Sequence, residues 1–358
     1  MRIGIDDRAI KYSGIGVYTN KLRQMLSQTL QVYNYEDNID LNHAGGLAKY
    51  IAFVKRVLKE QLALPAWCRT NRLDVYHATR NYGVPVFGSV PVVVTIHDVI
   101  PHVFPKQYLG NILVRYYYEL ALRIAIWRAK KILTVSQFSK KELVRLYGVP
   151  AAKIVVTPIA ASEAFKVLPA ATLQQVRERY ALPKRYILTI GGSEWRKNVE
   201  RLLKVHQKHF SEQCELLVIG GAWRGYDLAA KYKDAVGVRF LSNLTEEDLV
   251  AIYNMAELFV FPSLYEGFGI PILEAMACET PVATANAASM PEVGGSAAMY
   301  FDPLDEDDMA AKIKQVLQDE VLRGQLVAAG RERVRQYSWQ SCAKATLAVY
   351  EEAANLGI

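Results

Sequence analysis

The sequence has few cysteines and no long uncharged apolar run, and both deficits narrow the class of protein. Its 358 residues include four cysteines, Cys68, Cys214, Cys278 and Cys342, which lie far apart and form no C-x-x-C pair. This spacing indicates neither a zinc cluster nor a disulfide framework, and a reducing compartment fits best. No stretch approaches roughly 18 uncharged apolar residues, and the opening MRIGIDD reaches two aspartates too early for a secretory signal. We therefore expect a cytoplasmic protein that does not span a membrane.

The sequence also lacks the common glycine-rich loops that bind nucleotides. No G-x-G-x-x-G follows the first predicted strand and no Walker loop occurs, which weighs against a nucleotide-dependent oxidoreductase, the rival with a similar fold. No D-x-D loop argues for a bound metal. We therefore expect neither a resident cofactor nor a metal ion.

Charge is unevenly distributed along the chain. The net charge is +7, but residues 1–163 carry 22 Lys and Arg against 11 Asp and Glu, whereas the remainder carries 21 against 25. A basic half is typical of a protein that meets an anionic partner, either a nucleic acid or a phospholipid surface. Because no nucleic-acid recognition module is present, we expect no nucleic-acid partner.

Apolar, β-rich runs alternate with helical patterns, which predicts an α/β fold with parallel sheets. The series pauses near residues 162–185, where prolines and a charged helix interrupt the strands. We predict two Rossmann-like, doubly wound domains, residues 1–165 and 166–339, and a cleft between them, because such sheets bind ligands at the carboxyl ends of their strands. The predicted strands are residues 2–5, 91–96, 131–135, 153–157, 186–190, 215–219, 257–261 and 281–284.

The stretch YEGFGIPILEAMACETPV carries the strongest chemical signal. It follows an apolar strand, has a glycine-rich loop, and places Pro271 where a first helical turn prefers proline. Glu266 lies in the loop and Glu274 one turn into the helix, so both carboxylates can border one pocket beside the free amides of the helix start. The alternative is that Glu266 caps a loop and Glu274 is a solvated helix residue.

A second signal is the segment YILTIGGSEWRKN. A buried strand ends at Gly191 and Gly192, and Arg196 and Lys197 arrive just before a helix, where a diphosphate can bind. A solvated, charged helix cap explains the two cations equally well.

Two features of the first half also lie at strand ends. His97 follows the strand PVVVTI directly, at the edge where α/β sheets bind ligands. Gly14 and Gly16 open a helix after the first strand and allow close approach of a ligand. The alternative for His97 is a histidine that is simply part of the core. The alternative for Gly14 and Gly16 is a turn that binds no ligand.

Together these motifs resemble those of the retaining glycosyltransferase family 4, which has the two-domain GT-B fold. The similarity covers SGIGVYTNKL, the IHD strand end, LTVSQFSK, the RKN turn, the E-x7-E element and a terminal helix around YSW. It implies an N-terminal domain that binds the acceptor, a C-terminal domain that binds a sugar nucleotide, and a last helix, residues 340–358, that crosses back to the first domain. The sequence departs from many members at Gly192 and Ser193, where they have an arginine after the glycine.

The resemblance also implies residue roles. Glu274 binds the ribose, and Arg196 and Lys197 neutralise the diphosphate, which Gly14 and Gly16 approach. His97 and Glu266 are the catalytic residues, and Glu266 holds the donor sugar together with the amides of Gly267, Phe268 and Gly269. The implied reaction is a metal-independent hexosyl transfer with retention.

The opening motif SGIGVYTNKL is similar to those of bacterial mannosyltransferases that build exopolysaccharide or O-antigen on lipid carriers. We therefore expect GDP-mannose as donor and a lipid-linked or saccharide acceptor. UDP-glucose, UDP-N-acetylglucosamine and another sugar nucleotide are the alternatives within the fold, and a hydrolase or epimerase of the same fold is a further one.

One basic segment of the first half suggests a membrane partner. In LAKYIAFVKRVLKEQLALP, apolar residues recur at helical spacing beside Lys49, Lys55, Arg56 and Lys59, as in an interfacial helix. We expect it to dock peripherally on the inner face of the cytoplasmic membrane. The alternative is that the apolar stripe packs against the sheet. This alternative is favoured more strongly for a second basic, apolar segment, residues 108–131.

Overall fold

The computed structural model describes residues 1–8, 14–36, 51, 54–110 and 112–355. The chain forms two compact units: one ends at Ile159 and resumes at Trp339, and the other runs from Ala160 to Ser338. The sequence pattern predicts this boundary after residue 165. Residues 160–165 belong to the second unit, where the Phe165 ring packs 5.7 Å from the Tyr253 ring.

The first unit contains a parallel sheet with strand order β2-β1-β3-β4-β5-β6. Its central strands are apolar and buried on both faces, as parallel strands covered by helices require. The strands are β1 (Arg2–Asp6), β2 (Gln31–Tyr35), β3 (Val75–Ala78), β4 (Val92–Thr95), β5 (Ala129–Thr134) and β6 (Ile154–Val156).

Helices connect these strands. The helix that follows β5 shows why they begin and end where they do: the Ser136 hydroxyl accepts a hydrogen bond from the Ser139 amide, and Gly148 ends the helix at a φ of +63°. The helices are α1 (Gly14–Leu26), α2 (Leu64–Thr70), α3 (Ile100–Val103), α4 (Pro105–Tyr108), α5 (Ile112–Arg128) and α6 (Gln137–Tyr147), with a π-helical turn at Lys59–Ala63 and a 3₁₀ turn at Ala151–Lys153.

The second unit contains a parallel sheet with strand order β12-β11-β10-β7-β8-β9. Its strands are β7 (Tyr186–Ile190), β8 (Glu215–Ile219), β9 (Val238–Leu241), β10 (Leu258–Phe261), β11 (Val282–Ala285) and β12 (Met299–Phe301). Its helices are α7 (Ala170–Arg179), α8 (Val199–His209), α9 (Leu228–Lys231), α10 (Glu246–Met255), α11 (Ile270–Ala277), α12 (Met290–Gly294), α13 (Glu306–Gln318) and α14 (Glu320–Val334), with 3₁₀ turns at Trp195–Lys197 and Gly295–Ala297.

The last described helix, α15 (Trp339–Asn355), belongs to the first unit. Its Tyr350 hydroxyl lies 2.6 Å from Nδ1 of His77 in β3, and both side chains are fully buried. A buried polar pair fixes one arrangement, because a shifted helix would leave both groups without partners. The end of the predicted helix, residues 356–358, lies outside the described residues.

The predicted α/β class is confirmed, and all eight predicted strands are present. In both sheets the strand ends of interest lie at the carboxyl edge, where parallel sheets bind ligands. No helix in the described part of the chain is long and apolar enough to cross a bilayer.

Candidate functional site

The loop of residues 262–269 between β10 and α11 forms the centre of the site on the second unit. Gly269 has a φ of +111°, a left-handed conformation that glycine adopts without strain. Pro271 then occupies the first turn of α11, where its missing N–H costs nothing. This eight-residue helix has no side-chain cap at its start, although its Ile272 amide already donates to the Gly269 carbonyl at 3.0 Å. The helix dipole favours an anion at this end.

Glu266 in this loop pairs with both predicted cations. Its Oε2 lies 2.7 Å from Arg196 Nη1, and its Oε1 lies 2.7 Å from Lys197 Nζ. The side chain is 8% exposed. Burial alone raises the pKa of Glu266, but Lys197 and then Arg196 outweigh it, so the net pKa is lowered. Glu266 is therefore an ionised carboxylate held in a fixed position.

The two cations differ in how far they are already engaged. Arg196 also bonds Glu194 Oε1 at 2.8 Å and donates to the Tyr265 carbonyl at 3.0 Å, which ties it to the loop. Lys197 carries three N–H donors, and besides Glu266 its ammonium meets only the Phe261 ring, 5.2 Å away, among the described residues. Lys197 is thus the cation with free donors for a ligand.

Glu274 lies on α11 and has a different environment. Its Oε2 accepts a hydrogen bond of 2.9 Å from the Tyr253 hydroxyl, while Oε1 makes no hydrogen bond with any residue that the structure describes. Burial raises its pKa to about 7, although the hydrogen bond from Tyr253 and, to a smaller extent, the charge of Lys197 oppose the rise. Lys197 therefore acts on both carboxylates, and one oxygen of Glu274 is open to a hydroxyl donor.

The glycines at the end of β7 allow close approach of Lys197 and of the Gly220–Gly221 backbone. A Cβ on Gly191 would lie 2.7 Å from Lys197 Cβ, and one on Gly192, whose φ is +53°, would lie 2.5 Å from the Gly221 carbonyl oxygen. Only glycine leaves space for these contacts. Gly220 and Gly221, which follow β8, pack against this turn: a Cβ on Gly220 would collide with the Gly192 backbone nitrogen.

Sequence reasoning missed two residues that hold the site backbone. The buried Ser289 hydroxyl lies 3.0 Å from the Glu266 carbonyl and 2.6 Å from the Phe268 carbonyl. Asn198 Nδ2 donates to the carbonyls of Pro262 at 3.1 Å and Pro303 at 2.8 Å. The RKN turn marks Asn198 as a helix start, whereas no local signal identifies Ser289.

On the first unit, His97 is fixed in one tautomer. Its Nε2 lies 2.9 Å from the Thr79 carbonyl, which only accepts, so Nε2 carries the proton. The Tyr18 ring packs edge-on at 4.7 Å. Burial lowers the pKa of His97 to about 4, so the ring is neutral near pH 7. Nδ1, which has no partner among the described residues, is therefore a hydrogen-bond acceptor.

The two predicted glycines of the first unit open α1. A Cβ on Gly14 would meet no atom of the described residues within 4 Å. Gly16 is buried. Residues 9–13, which precede them, lie outside the described residues.

The predicted membrane segment is described in part, and Lys49 lies outside the described residues. Residues 54–58 are helical and lead into the π-helical turn, and the stripe is exposed at Val54 (38%), Leu58 (52%) and Leu62 (69%). Packing against the sheet therefore does not account for the apolar stripe at these three exposed side chains. In the second segment, Leu122 and Ala125 are fully buried in the core, although one face of the helix is exposed.

The cations of this segment are not equivalent. Arg56 Nε lies 3.5 Å from the buried Glu60, whose Oε1 also pairs with Arg8 at 2.9 Å. Arg8 in turn bonds Asp6 at the end of β1 at 2.7 Å. Lys55 and Lys59 make no ion pair with a described residue, so they are the free cations here.

Comparisons with known proteins agree with this arrangement. The family model described as Glycosyltransferase Family 4 matches residues 35–160, and the model described as Glycosyl transferases group 1 matches residues 174–333. The O-antigen chain mannosyltransferase B of Escherichia coli is 34% identical, and the match covers 98% of this chain and 100% of that relative. The chain belongs to glycosyltransferase family 4.

Solved structures show that this glycosyltransferase has the GT-B fold. Sucrose-phosphate synthase from Thermosynechococcus elongatus aligns with a TM-score of 0.77 at 20% identity, over 98% of each chain. HepE of Anabaena, in complex with UDP-glucose, aligns with a TM-score of 0.78 at 16% identity, over 98% of this chain and 100% of that chain. At these identities the likeness concerns the fold alone.

The geometry defines what the glycosyltransferase's second unit offers a ligand. Glu266, Glu274, Arg196 and Lys197, selected from separate motifs, lie in one site, while His97, Gly14 and Gly16 lie in the first unit. A fixed carboxylate, a lysine with free donors and a helix start can hold polar hydroxyls and negative charge side by side.

Proposed function

We propose that this enzyme transfers a mannosyl residue from GDP-mannose, with retention of anomeric configuration, to a lipid-linked or saccharide acceptor in polysaccharide biosynthesis. The single observation that carries the donor site is the pairing of Lys197 with Glu266 beside Glu274. The choice of mannose rests on the similarity to an O-antigen mannosyltransferase along nearly the whole chain.

Each residue has a distinct role in this proposal. Glu274 accepts hydrogen bonds from the ribose through its open Oε1. Lys197 neutralises the diphosphate, and Arg196 mainly holds the Glu266 loop. Glu266 and the amides of Gly267, Phe268 and Gly269 hold the donor sugar. On the first unit, His97 Nδ1 accepts from a hydroxyl of the reacting sugar, and Gly14 and Gly16 approach the diphosphate.

The reaction then needs no covalent intermediate with the protein. The bond from the anomeric carbon to the phosphate oxygen breaks, and the acceptor hydroxyl oxygen bonds to the same face of that carbon. The departing diphosphate takes the hydroxyl proton. Lys197 and the start of α11 stabilise the charge that develops on the leaving group, which is a role that a fixed cation performs without a metal.

A donor panel tests the proposal. The protein is incubated with GDP-mannose, UDP-glucose or UDP-N-acetylglucosamine, with mannotriose or a lipid-linked saccharide as acceptor, with and without EDTA. We expect transfer from GDP-mannose that EDTA does not reduce, and an α-linked product by NMR. Transfer from another donor, an inverted product, or hydrolysis alone in the presence of every acceptor contradicts the corresponding part of the proposal.

The second part of the proposal is peripheral docking on the inner face of the cytoplasmic membrane through Lys49, Lys55, Arg56 and Lys59. The exposed Val54, Leu58 and Leu62 offer an apolar stripe beside the free Lys55 and Lys59. Arg56 contributes less because it already faces Glu60.

Charge reversal tests the docking surface. At about 1 kcal/mol per basic residue, loss of two lysines weakens binding by roughly thirtyfold. We therefore expect Lys55→Glu with Lys59→Glu to abolish sedimentation with anionic vesicles. The matched control is Lys204→Glu with Lys208→Glu, two exposed lysines with the same spacing on α8. Equal loss in both variants, or equal binding to neutral vesicles, contradicts docking by charge at this segment.

A further inference from the structure

A cavity of about 410 Å³ lies on the first unit beside α3, α4 and the start of α5. It is not part of the site described above. The side chains that decide its chemistry are His102, Leu109, Ile112, Arg115, Tyr116 and Glu119. Leu109 is buried, whereas Ile112 and Tyr116 are 60% and 67% exposed, so the cavity has an apolar floor and an accessible aromatic ring.

The cavity lies near His97 along the chain. Asp98 Oδ1 accepts from the Ile100 amide at 3.0 Å and starts α3, which carries His102. His102 follows His97 by five positions, so their Cα atoms are at most roughly 18 Å apart even in an extended chain. Both histidines follow the carboxyl end of β4, which ends at Thr95, along the chain.

The polar groups of the cavity are fixed. Glu119 Oε2 lies 3.0 Å from His102 Nδ1 and accepts from the Tyr147 hydroxyl at 3.2 Å, and Oε1 accepts from Arg123 at 2.7 Å. The Tyr82 hydroxyl lies 3.2 Å from His102 Nε2. Burial lowers the pKa of His102, against the opposing effect of Glu119. A neutral His102 therefore donates through Nδ1 to an ionised Glu119, whose Oε1 retains one lone pair for a ligand.

Arg115 supplies the complementary donors. It makes no ion pair with any residue in the described part of the chain, and it lines the cavity one residue before Tyr116. The cavity thus presents an acceptor at Glu119, donors at Arg115 and an exposed ring at Tyr116. With one free cation, it suits a neutral ligand with many hydroxyls better than a diphosphate, which needs more positive charge.

We propose that this cavity binds a pyranose sugar of the acceptor, with the apolar face of the sugar against the Tyr116 ring and its hydroxyls on Arg115 and Glu119. A sugar ring has an apolar C–H face and a polar edge, and aromatic side chains bind such faces by burying apolar area. This proposal rests on the proposed function, because it identifies the acceptor of that reaction.

Variants of Tyr116 and Arg115 test the assignment. The KM for mannotriose and its saturation-transfer NMR signal are measured with the wild type, Tyr116→Ala, Tyr116→Phe and Arg115→Gln, together with donor hydrolysis by water. We expect Tyr116→Ala to raise the KM by about tenfold or more and to remove the NMR signal, and Arg115→Gln to raise the KM several-fold. Donor affinity and hydrolysis stay unchanged, and Tyr116→Phe retains wild-type values because the ring remains.

The matched control is Trp127→Ala, an equally exposed aromatic on the same helix that does not line the cavity. An unchanged KM in Tyr116→Ala, or an equal rise in Trp127→Ala, overturns the proposal, as does a wild type that neither binds nor uses mannotriose. If mannotriose binds through Tyr116 but no donor is used, the proposed function fails and the cavity assignment stands. If transfer occurs and the Tyr116 and Arg115 variants have no effect, the proposed function stands and the cavity assignment fails.

Discussion

Replacing Lys197 by alanine is expected to lower the turnover of sugar transfer by about 10²–10³-fold, the usual effect of removing one fixed group that stabilises developing charge. Lys197 is the cation with free donors in the site, and its position depends on Glu266 and on the close approach of Gly191. The loss should be largest in the transition state, where the leaving diphosphate gains charge. Turnover is measured with GDP-mannose, and Lys204→Ala, an exposed lysine on α8, is the control.

Calorimetry separates the phosphate role of Lys197 from a structural one. We expect Lys197→Ala to weaken the binding of GDP-mannose and GDP strongly and the binding of guanosine little, because guanosine carries no phosphate. Removal of Lys197 also leaves Glu266 with Arg196 as its described cation, so the double variant with Glu266→Gln tests whether an unpaired carboxylate causes the loss. Equal weakening of all three ligands would show that the diphosphate role is wrong.

The strands that sequence reasoning missed show where periodicity fails. It predicted eight strands and overlooked β2, β3, β9 and β12. Three of these lie at sheet edges, where one side is half exposed and the apolar pattern is weak. The fourth, β3, is internal, but its centre is His77, whose hydrogen bonds to Tyr350 and Thr95 replace an apolar contact. A buried polar strand is recognisable only once its partners are known.

The candidate site was predictable where chemistry and local structure coincide. Glu266, Glu274 and Lys197 follow strand ends or open helices, so a single sequence could select them. Tyr253, Ser289 and Glu60 act through contacts with distant parts of the chain, and their neighbours in sequence are unremarkable helix or turn residues. The same limit applies to Arg56, which the pattern counted as a free cation although the fold pairs it with Glu60.

The raised pKa of Glu274 predicts that protein stability and nucleotide affinity change in opposite directions with pH. Because its pKa is about 7 in the folded protein and near its ordinary value of 4.5 when unfolded, the folded protein retains a proton that the unfolded chain releases. Stability therefore falls as pH rises from about 4.5 to 7 and stays lower above that. Ribose hydroxyls prefer the ionised form as acceptor, so nucleotide affinity should rise over roughly pH 6 to 8.

Glu274→Gln should therefore stabilise the protein at pH 8, by up to roughly 3 kcal/mol, and have much less effect at pH 5, where the wild-type carboxyl is already largely protonated in the fold. The same change should weaken GDP binding by about one to two decades at pH 8, because a charged hydrogen bond is lost. Thermal unfolding and calorimetry at both pH values measure these effects, with the exposed Glu247→Gln on α10 as a control expected to change neither. A stability gain that is independent of pH would mean that Glu274 has an ordinary pKa, and unchanged GDP affinity at pH 8 would remove Glu274 from the ribose site. If both effects appear together, the carboxylate is kept despite its cost to the fold because the nucleotide requires it.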